Sequence, residues 1–255
     1  MKEFVVPLEE QPFKIPQNWI WVRAGALFSC QHGYAFKSGD YVEESEVLNC
    51  RMSNIRPDGS FDSDYKKTYL PNDYYEKYSD YALKDGDVIV ALTDMASEHP
   101  KILGLPTIVE TNGYKMLLNQ RVLKITPYNE LTKKYINATL HYMCITQFRS
   151  KIKGSGSVQI NLKTGDITNL AIPFPPVREQ QRIVAKIDEM FSRLSEASDK
   201  LDEIMGLENA KTNVAGKIET MRTAILAKAV RGELATNSLV DEDALEDFKE
   251  ILELQ

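Results

Sequence analysis

The sequence predicts an α+β fold in which a mixed, strand-rich domain is followed by a long coiled-coil helix. Short runs of β-branched and aromatic residues, bounded by Gly, Pro, Asn or Asp, predict the strands. After residue 176 apolar residues recur at alternating spacings of four and three, which predicts a helix with one narrow apolar stripe. Pro175 and Pro176 separate the two patterns, because consecutive prolines are excluded from a helix interior but tolerated at its first turn.

The strand-rich domain is expected between residues 16 and 175. Its predicted strands are "WIWV" (19–22), "DVIVAL" (87–92), "RVLKI" (121–125), "SVQINL" (157–162) and "LAIPF" (170–174). Residues 131–145 repeat apolar side chains at helical spacing, so one helix is expected to pack on these strands. Residues 1–15 are assigned to an N-terminal extension, 176–234 to the helical region and 235–255 to an acidic tail.

The helical region carries its apolar stripe in two parts. The stripe comprises Ile183, Ile187, Met190, Leu194, Leu201 and Ile204, and it resumes in an altered register at Ile218, Met221 and Ile225. Residues 206–216 interrupt the pattern. A continuous helix would extend about 80 Å and leave the stripe in water, so it would need a partner helix, such as that of a second copy. The alternative is a hairpin that turns within residues 206–216 and pairs the two parts inside one chain.

Charge is unevenly distributed along the chain. The formal net charge is -6, and residues 241–253 contain seven acidic residues against Lys249 alone, which accounts for the whole excess. Any DNA-binding surface must therefore come from local clustering of basic residues. The tail is expected to be a poorly ordered, solubilising end. Alternatively, residues 245–254 form a short amphipathic helix that covers apolar surface.

Several classes of protein are not indicated. No run approaches the roughly 20 apolar residues of a membrane span, and residues 1–16 lack the unbroken apolar core of a secretory signal, so a cytoplasmic location is expected. The three cysteines form no CxxC pair and the three histidines are scattered, so no metal site is expected.

Five stretches spread over nearly the whole chain stand out by their order. They are "IPQNWIWVRAGALF" (15–28), "LKDGDVIVA" (83–91), "NQRVLKITP" (119–127), "SVQINLKTGDITNLAIPFPPVREQQRIVAKID" (157–188) and "AILAKAVRGEL" (224–234). The pattern Pro-Pro-x-x-Glu-Gln-x-x-Ile-Val at the domain-to-helix junction is the most specific of them. In these stretches the chain resembles the specificity (S) subunit of type I restriction-modification enzymes, in a half-length form with one target-recognition domain and one conserved helical region.

The resemblance implies a noncatalytic protein that reads one half of a bipartite target in double-stranded DNA. It also implies that the helices dock methyltransferase (M) subunits, which hold S-adenosylmethionine. A further partner, a restriction or motor (R) subunit, would use ATP and Mg²⁺. No cofactor is expected on this chain, and its sequence contains neither a GxxxxGK[ST] phosphate loop nor an Asn-Pro-Pro-Tyr tetrapeptide. The half length implies either a homodimer through the helix or a segment of a longer protein.

Candidate DNA contacts are side chains in basic loops, because Arg reads guanine, Asn and Gln read adenine, and Lys binds phosphates. Arg51 and Arg56 are the preferred base readers. The alternative for each loop is a solvated surface segment without a DNA role. The candidates lie in three loops and are Tyr34, Lys37, Arg51, Asn54, Arg56, Lys66, Lys67, Arg149, Lys151, Lys153 and Gln159.

Two other functions stay open at the level of sequence. "PDGSFDSDYK" (57–66) places Asp58, Asp64 and Lys66 in an order similar to the Pro-Asp…Asp-x-Lys signature of metal-dependent nucleases. The gap of five residues between the two carboxylates is too short to set two strands side by side with converging carboxylates. A coiled-coil adaptor without a DNA role would explain the helix but not the strand-rich domain with its basic loops.

Overall fold

A computed structural model describes residues 3–95, 101–149, 159–205, 208–238, 241 and 243–255. It combines strands and helices, as the α+β prediction requires. The chain divides into two compact units. The helical unit comprises Met1–Val22, Asn129–Tyr142 and Ala171–Gln255, and the strand-rich unit comprises Arg23–Tyr128 and Met143–Leu170.

The elements are numbered in chain order. The strands are β1 (Ile20–Arg23), β2 (Phe28–His32), β3 (Val47–Cys50), β4 (Tyr69–Leu70), β5 (Ala82–Leu83), β6 (Val88–Ala91), β7 (Thr93–Met95), β8 (Pro106–Ile108), β9 (Lys115–Leu118), β10 (Val122–Pro127), β11 (Gln159–Asn161) and β12 (Ala171–Phe174). The helices are α1 (Tyr74–Lys77), α2 (Lys133–Cys144), α3 (Thr164–Thr168), α4 (Val177–Met205), α5 (Glu208–Val230) and α6 (Ala244–Glu253).

The strand-rich unit contains two four-stranded sheets and a two-stranded sheet of β7 and β11. The first has the order β2-β10-β6-β8 and is antiparallel throughout, whereas the second has the order β4-β3-β9-β5. In the second sheet β3 and β9 are parallel, with Val47 opposite Lys115 and Cys50 opposite Leu118. All four positions of β3 and of β6 are buried, which is typical of strands covered on both faces.

The parallel pair fixes where the 51–68 loop begins and lies close to the start of the loop that carries Tyr34. Because β3 and β9 run in the same direction, their carboxyl ends meet at one edge, where Asn119 donates its backbone N–H to the carbonyl of Cys50 at 3.1 Å. The chain before Tyr34 crosses this edge closely: a Cβ on Gly33 would lie 2.3 Å from the carbonyl oxygen of Asn119. Only glycine fits there, and the crossing sets the place of Tyr34.

The helical unit gathers segments from three parts of the sequence. β1 pairs with β12, and the hydroxyl of Tyr135 on α2 donates to the carbonyl of Pro173 at 2.7 Å. The Nε1–H of Trp19 donates to the buried Glu179 carboxylate at 2.8 Å. The sequence assigned β1, α2 and β12 to the strand-rich domain, whereas most residues of β1 and α2 and all of β12 belong to the helical unit.

The helical region forms a hairpin of two helices and not one continuous helix. α4 ends at Met205, α5 begins at Glu208, and the Arg222 guanidinium lies 5.2 Å from the centroid of the Phe191 ring, as expected for antiparallel helices. Ile183, Ile187 and Ile225 are buried inside the helical unit. Their prediction as contacts to a second chain is corrected by this burial, since the chain itself covers them. No helix in the described ranges has the length and apolar character that crossing a membrane requires.

The acidic tail is part of the fold, which corrects its expectation as a poorly ordered end. Phe248 and Ile251 of α6 are buried, and the Phe248 ring centroid lies 5.7 Å from that of Phe174. The Asp247 carboxylate accepts the backbone N–H of Val177 at 2.6 Å, so it caps the first turn of α4 from a distant position in the sequence. The alternative of an amphipathic helix that covers apolar surface is the one the structure adopts.

Candidate nucleic-acid interface

The 51–68 loop follows β3 and returns to the same sheet through β4, and Asn54 organises it. The Asn54 Oδ1 accepts the backbone N–H of Arg51 at 2.8 Å, and its Nδ2 donates to the carbonyls of Asp62 at 2.9 Å and Tyr65 at 3.4 Å. Asn54 is also buried. This corrects its prediction as a DNA contact, because both ends of its amide are used inside the loop.

A tight turn closes the tip of the 51–68 loop. The backbone N–H of Arg56 donates to the carbonyl of Ser60 at 2.9 Å, and Gly59 has a φ of 84°. The Asp58 Oδ1 accepts the backbone N–H and the hydroxyl of Ser60, at 3.0 and 2.7 Å. Asp58 therefore stabilises the turn.

The carboxylates of the nuclease-like pattern serve separate local interactions. Asp64 pairs with Lys67, Nζ to Oδ1 at 2.6 Å, while Asp58 belongs to the turn. The pKa of Asp64 is lowered, chiefly by its hydrogen bond with Lys67. Within the described residues, no group of three or more His, Cys, Asp or Glu side chains is placed to hold a metal ion. The geometry does not support a nuclease centre in this loop.

Arg56 and Lys66 share the ring of Tyr65. The guanidinium carbon of Arg56 lies 3.7 Å from the ring centroid, and the Nζ of Lys66 lies 5.3 Å from it. A hydrogen bond from Arg56 and then the charge of Lys66 lower the pKa of the Tyr65 hydroxyl. Lys66 is exposed and has a φ of 49°, in the left-handed region that non-glycine residues rarely adopt.

The other two basic residues of the loop, Lys67 and Arg51, contact groups of the protein. The Lys67 ammonium donates to the hydroxyl of Tyr114 at 2.6 Å in addition to its ion pair with Asp64, and these contacts raise the pKa of Lys67. The Nη1 of Arg51 donates to the hydroxyl of Thr68 at 3.2 Å. By contrast, no carboxylate of the described chain forms an ion pair with Arg56 or Lys66. Arg51 likewise has no carboxylate partner among the described residues, so Arg51, Arg56 and Lys66 all keep donors for an external anion or base, and Arg56 and Lys66 share one ring.

Tyr34 and Lys37 lie in the loop after β2. The Tyr34 ring contacts Tyr78 and Phe36, with centroid distances of 4.5 and 5.0 Å, and the side chain is 37% exposed. A hydrogen bond with Tyr78 is the main cause of its raised pKa. Lys37 is exposed, and its backbone N–H donates to the Asp40 carboxylate at 3.3 Å. Tyr34 is therefore the accessible edge of an aromatic cluster.

The third candidate loop is described only at its ends. Arg149 ends a π-helical turn, Ile145–Arg149, and Gln159 begins β11 opposite Met95. The side chains of Arg149 and Gln159 lie outside the described residues, as do Lys151 and Lys153 entirely. Their prediction as DNA contacts stays a prediction.

Three further residues of the helical stripe, Met190, Leu194 and Met221, line a groove between α4 and α5. Met221 is 53% exposed and Leu201 is 41% exposed, whereas Ile218 is half-buried and the Ile204 side chain lies outside the described residues. These accessible residues are the part of the stripe that a partner can still cover. The groove has a volume of about 440 Å³ and is lined by Met190, Arg193, Leu194, Ala197, Met221, Ala224, Ile225 and Lys228.

Sequence reasoning missed Tyr65 and Tyr114, which hold the cations of the 51–68 loop. An aromatic residue directly before Lys66 in "DYKK" is the available signal for Tyr65. Tyr114 is 47 residues from Lys67, so no local pattern indicates their contact.

Comparison with known proteins gives consistent relatives. Residues 16–204 match the family described as the type I restriction modification DNA specificity domain. The chain is 29% identical over 186 residues to the EcoAI specificity subunit of a type I restriction enzyme from Escherichia coli, covering 72% of this chain and 30% of that protein. It is 23% identical over 212 residues to the MjaVIII specificity subunit from Methanocaldococcus jannaschii, covering 81% of this chain and 47% of that protein. The chain spans less than half of the length of these two curated relatives.

A solved structure supports the same fold. It is described as the structural basis underlying complex assembly and conformational transition of the type I R-M system, and the match covers 91% of this chain and 50% of that chain. The TM-score is 0.51 and the sequence identity is 20%. At this identity the likeness shows the fold alone.

Proposed function

The chain belongs to the type I restriction modification DNA specificity family, and from this membership we propose that it acts as the DNA-specificity subunit of a type I restriction-modification system. In this role it recognises one half of a bipartite target in double-stranded DNA. The family match over residues 16–204 includes the whole 51–68 loop, so the proposed contacts lie inside the matched range.

The pair of available cations on Tyr65 is the observation that carries the proposal. Arg56 lies against the ring, and the exposed Lys66 lies next to it. An arginine edge binds guanine in the major groove, and a lysine ammonium binds phosphate. The loop thus supplies a base contact and a backbone contact side by side, although the chain as a whole has a net charge of -6.

The chemistry is assigned to partner subunits. We propose that this chain performs no catalysis itself and docks methyltransferase (M) subunits that bind S-adenosylmethionine. A restriction or motor (R) subunit would use ATP and Mg²⁺. The names of the relatives, which are all specificity subunits of type I restriction enzymes, support this division. A DNA target of this kind implies a cytoplasmic location.

A homodimer through the helical unit is the finer proposal on assembly. The chain matches half of a longer solved chain, and a second copy would supply a second recognition half. The groove between α4 and α5 supports this, because Leu194 and Met221 leave apolar surface accessible there. Covering such surface stabilises an association by about 25 cal/mol per Å².

DNA retention tests the proposed function. The full chain, alone and with the M subunits of its host, is mixed with a randomised duplex library at several salt concentrations. We expect sequence-specific retention that requires the M subunits and falls steeply with salt, without cleavage or methylation by the chain alone. Retention without any sequence preference would contradict the proposal. Mg²⁺-dependent cutting by the chain that Asp64→Ala abolishes would replace it with a nuclease function.

A further inference from the structure

We infer that Tyr65 is a positioning residue that holds Arg56 in the orientation that reads a guanine of the target. The inference rests on the proposed DNA-specificity function and names the side chains that carry part of that specificity. It rests on the stack of the two side chains, on the constrained backbone at Tyr65, and on the contacts that the other basic residues of the loop make.

The stack leaves most of the hydrogen-bonding edge of Arg56 free. A guanidinium carbon 3.7 Å from the ring centroid lies against the ring face, whereas the five N–H donors lie in the guanidinium plane. The Nη1 donates to the carbonyl of Ser53 at 3.4 Å. The described residues give Arg56 no further acceptor, so its other donors remain available to a ligand.

The backbone around Tyr65 is constrained on both sides. Its carbonyl accepts from the Asn54 amide at 3.4 Å, and the backbone N–H of Asp62 donates to the carbonyl of Asn54 at 2.9 Å. The next residue, Lys66, has the left-handed φ of 49°. Sparsely populated backbone conformations persist where their surroundings impose them, and they cluster at functional sites. These contacts constrain the backbone from which the Tyr65 ring projects, and the ring itself lies against the Arg56 guanidinium.

The chemistry of the edge selects guanine. Guanine presents two acceptors in the major groove, O6 and N7, whose spacing matches the paired donors of an arginine. A guanidinium that is already stacked loses less freedom on binding than an unsupported one. Lys67 is paired with Asp64, and of the two arginines in this loop Arg56 is the one recorded against an aromatic ring, so we assign the guanine contact to Arg56.

Base substitution in the target tests the inference. The full chain with its M subunits first defines the preferred half-site from a random duplex library. Each guanine of the half-site is then replaced by adenine or by 7-deazaguanine, which lacks N7. For the guanine read by Arg56, we expect adenine to weaken binding about 5- to 100-fold and 7-deazaguanine to weaken it less.

Variants of Tyr65 identify its role. Tyr65→Leu is expected to lower the discrimination at that guanine about 2- to 30-fold, the effect of losing a cation–aromatic contact, while Tyr65→Phe keeps most of it. Arg56→Ala should abolish the sensitivity to 7-deazaguanine, and adding Tyr65→Leu to Arg56→Ala should change nothing further. Tyr65→Met repeats the measurement if Tyr65→Leu does not fold. Tyr75→Leu is the matched control, because it removes a ring that Lys115 Nζ approaches at 5.6 Å in the same unit.

Three outcomes would overturn the inference. A folded Tyr65→Leu variant that keeps full discrimination while Arg56→Ala loses it would leave Tyr65 without a positioning role. A Tyr65→Leu variant whose binding to every DNA sequence is weakened equally would show that the stack only stabilises the loop. A wild-type complex that tolerates 7-deazaguanine at every position would remove the guanine contact. A wild-type complex without any sequence preference would instead contradict the proposed function itself.

Discussion

Truncation of Phe248 to alanine tests whether the acidic tail is an integral part of the helical unit. Phe248 is completely buried, and its ring packs on Phe174 at a centroid distance of 5.7 Å. Replacing a buried phenylalanine by alanine costs about 3–5 kcal/mol, because transfer free energy is lost and a cavity remains. With a urea slope of about 2 kcal/mol per M, the unfolding midpoint should fall by about 1.5–2.5 M.

Tryptophan fluorescence reports this unfolding selectively. The only tryptophans of the sequence, Trp19 and Trp21, are both buried in the helical unit. Leu254→Ala is the matched control on the same segment, because Leu254 is 58% exposed and its truncation should change the free energy of unfolding by less than about 0.5 kcal/mol. Equal midpoints for Phe248→Ala and Leu254→Ala would refute the packing of α6.

Three further predictions follow from the groove, the buried carboxylate and the exposed lysine. Leu194→Glu together with Met221→Glu should reduce the mass in solution from two copies to one, because both residues line the accessible groove; an unchanged mass by light scattering would count against that surface. Burial raises the pKa of Glu179, so its ionisation disfavours the folded state as pH rises above the ordinary glutamate range. The free energy of unfolding of Glu179→Gln minus that of the wild type should therefore increase between about pH 4 and pH 7, and a constant or falling difference would contradict this. Lys66→Ala should weaken binding to all sequences alike and lower the slope of log affinity against log salt by about 1; a change confined to one base position would show that Lys66 reads a base instead.

The sequence predicted the start of the helical region better than its end. Pro175 and Pro176 indicated a helix from about residue 177, and α4 begins at Val177. The apolar stripe indicated that the helix needs a partner, but its spacing is the same whether the partner is a second chain or the next helix of the same chain. The contact of Phe191 on α4 with Arg222 on α5 distinguishes the two, and no local pattern in the sequence indicates it.

Strands were predictable where their residues were bounded by turn signals. The predicted runs contain β6, β11 and β12 and overlap β1 and β10, which extend past the predicted ends. By contrast, β3 and β9 were not predicted. All four positions of β3 are buried, so it shows no alternation of apolar and polar side chains. Their parallel pairing joins residues far apart in the sequence, and it places the 51–68 loop.

The sequence predicted which loop carries the candidate site, but not which side chains contact one another within it. A cluster of basic residues in 51–68 indicated the place, and the structure brings Arg56 and Lys66 together on the Tyr65 ring, whereas Arg51 contacts Thr68 and Lys67 contacts Asp64. Which of them are available depends on contacts that local patterns do not show, such as Lys67 with Tyr114. Asn54 was assigned to DNA for its residue type, whereas its amide is used within the loop.

Methylome sequencing of otherwise identical cells that carry or lack this chain tests the proposed specificity function most directly. We predict that methylated adenine in one bipartite motif appears only in cells that carry the chain, and that Arg56→Ala changes the bases of that motif while the chain remains folded. Identical methylomes in the two kinds of cell, with the M subunits present in both, would contradict a role in choosing the DNA target.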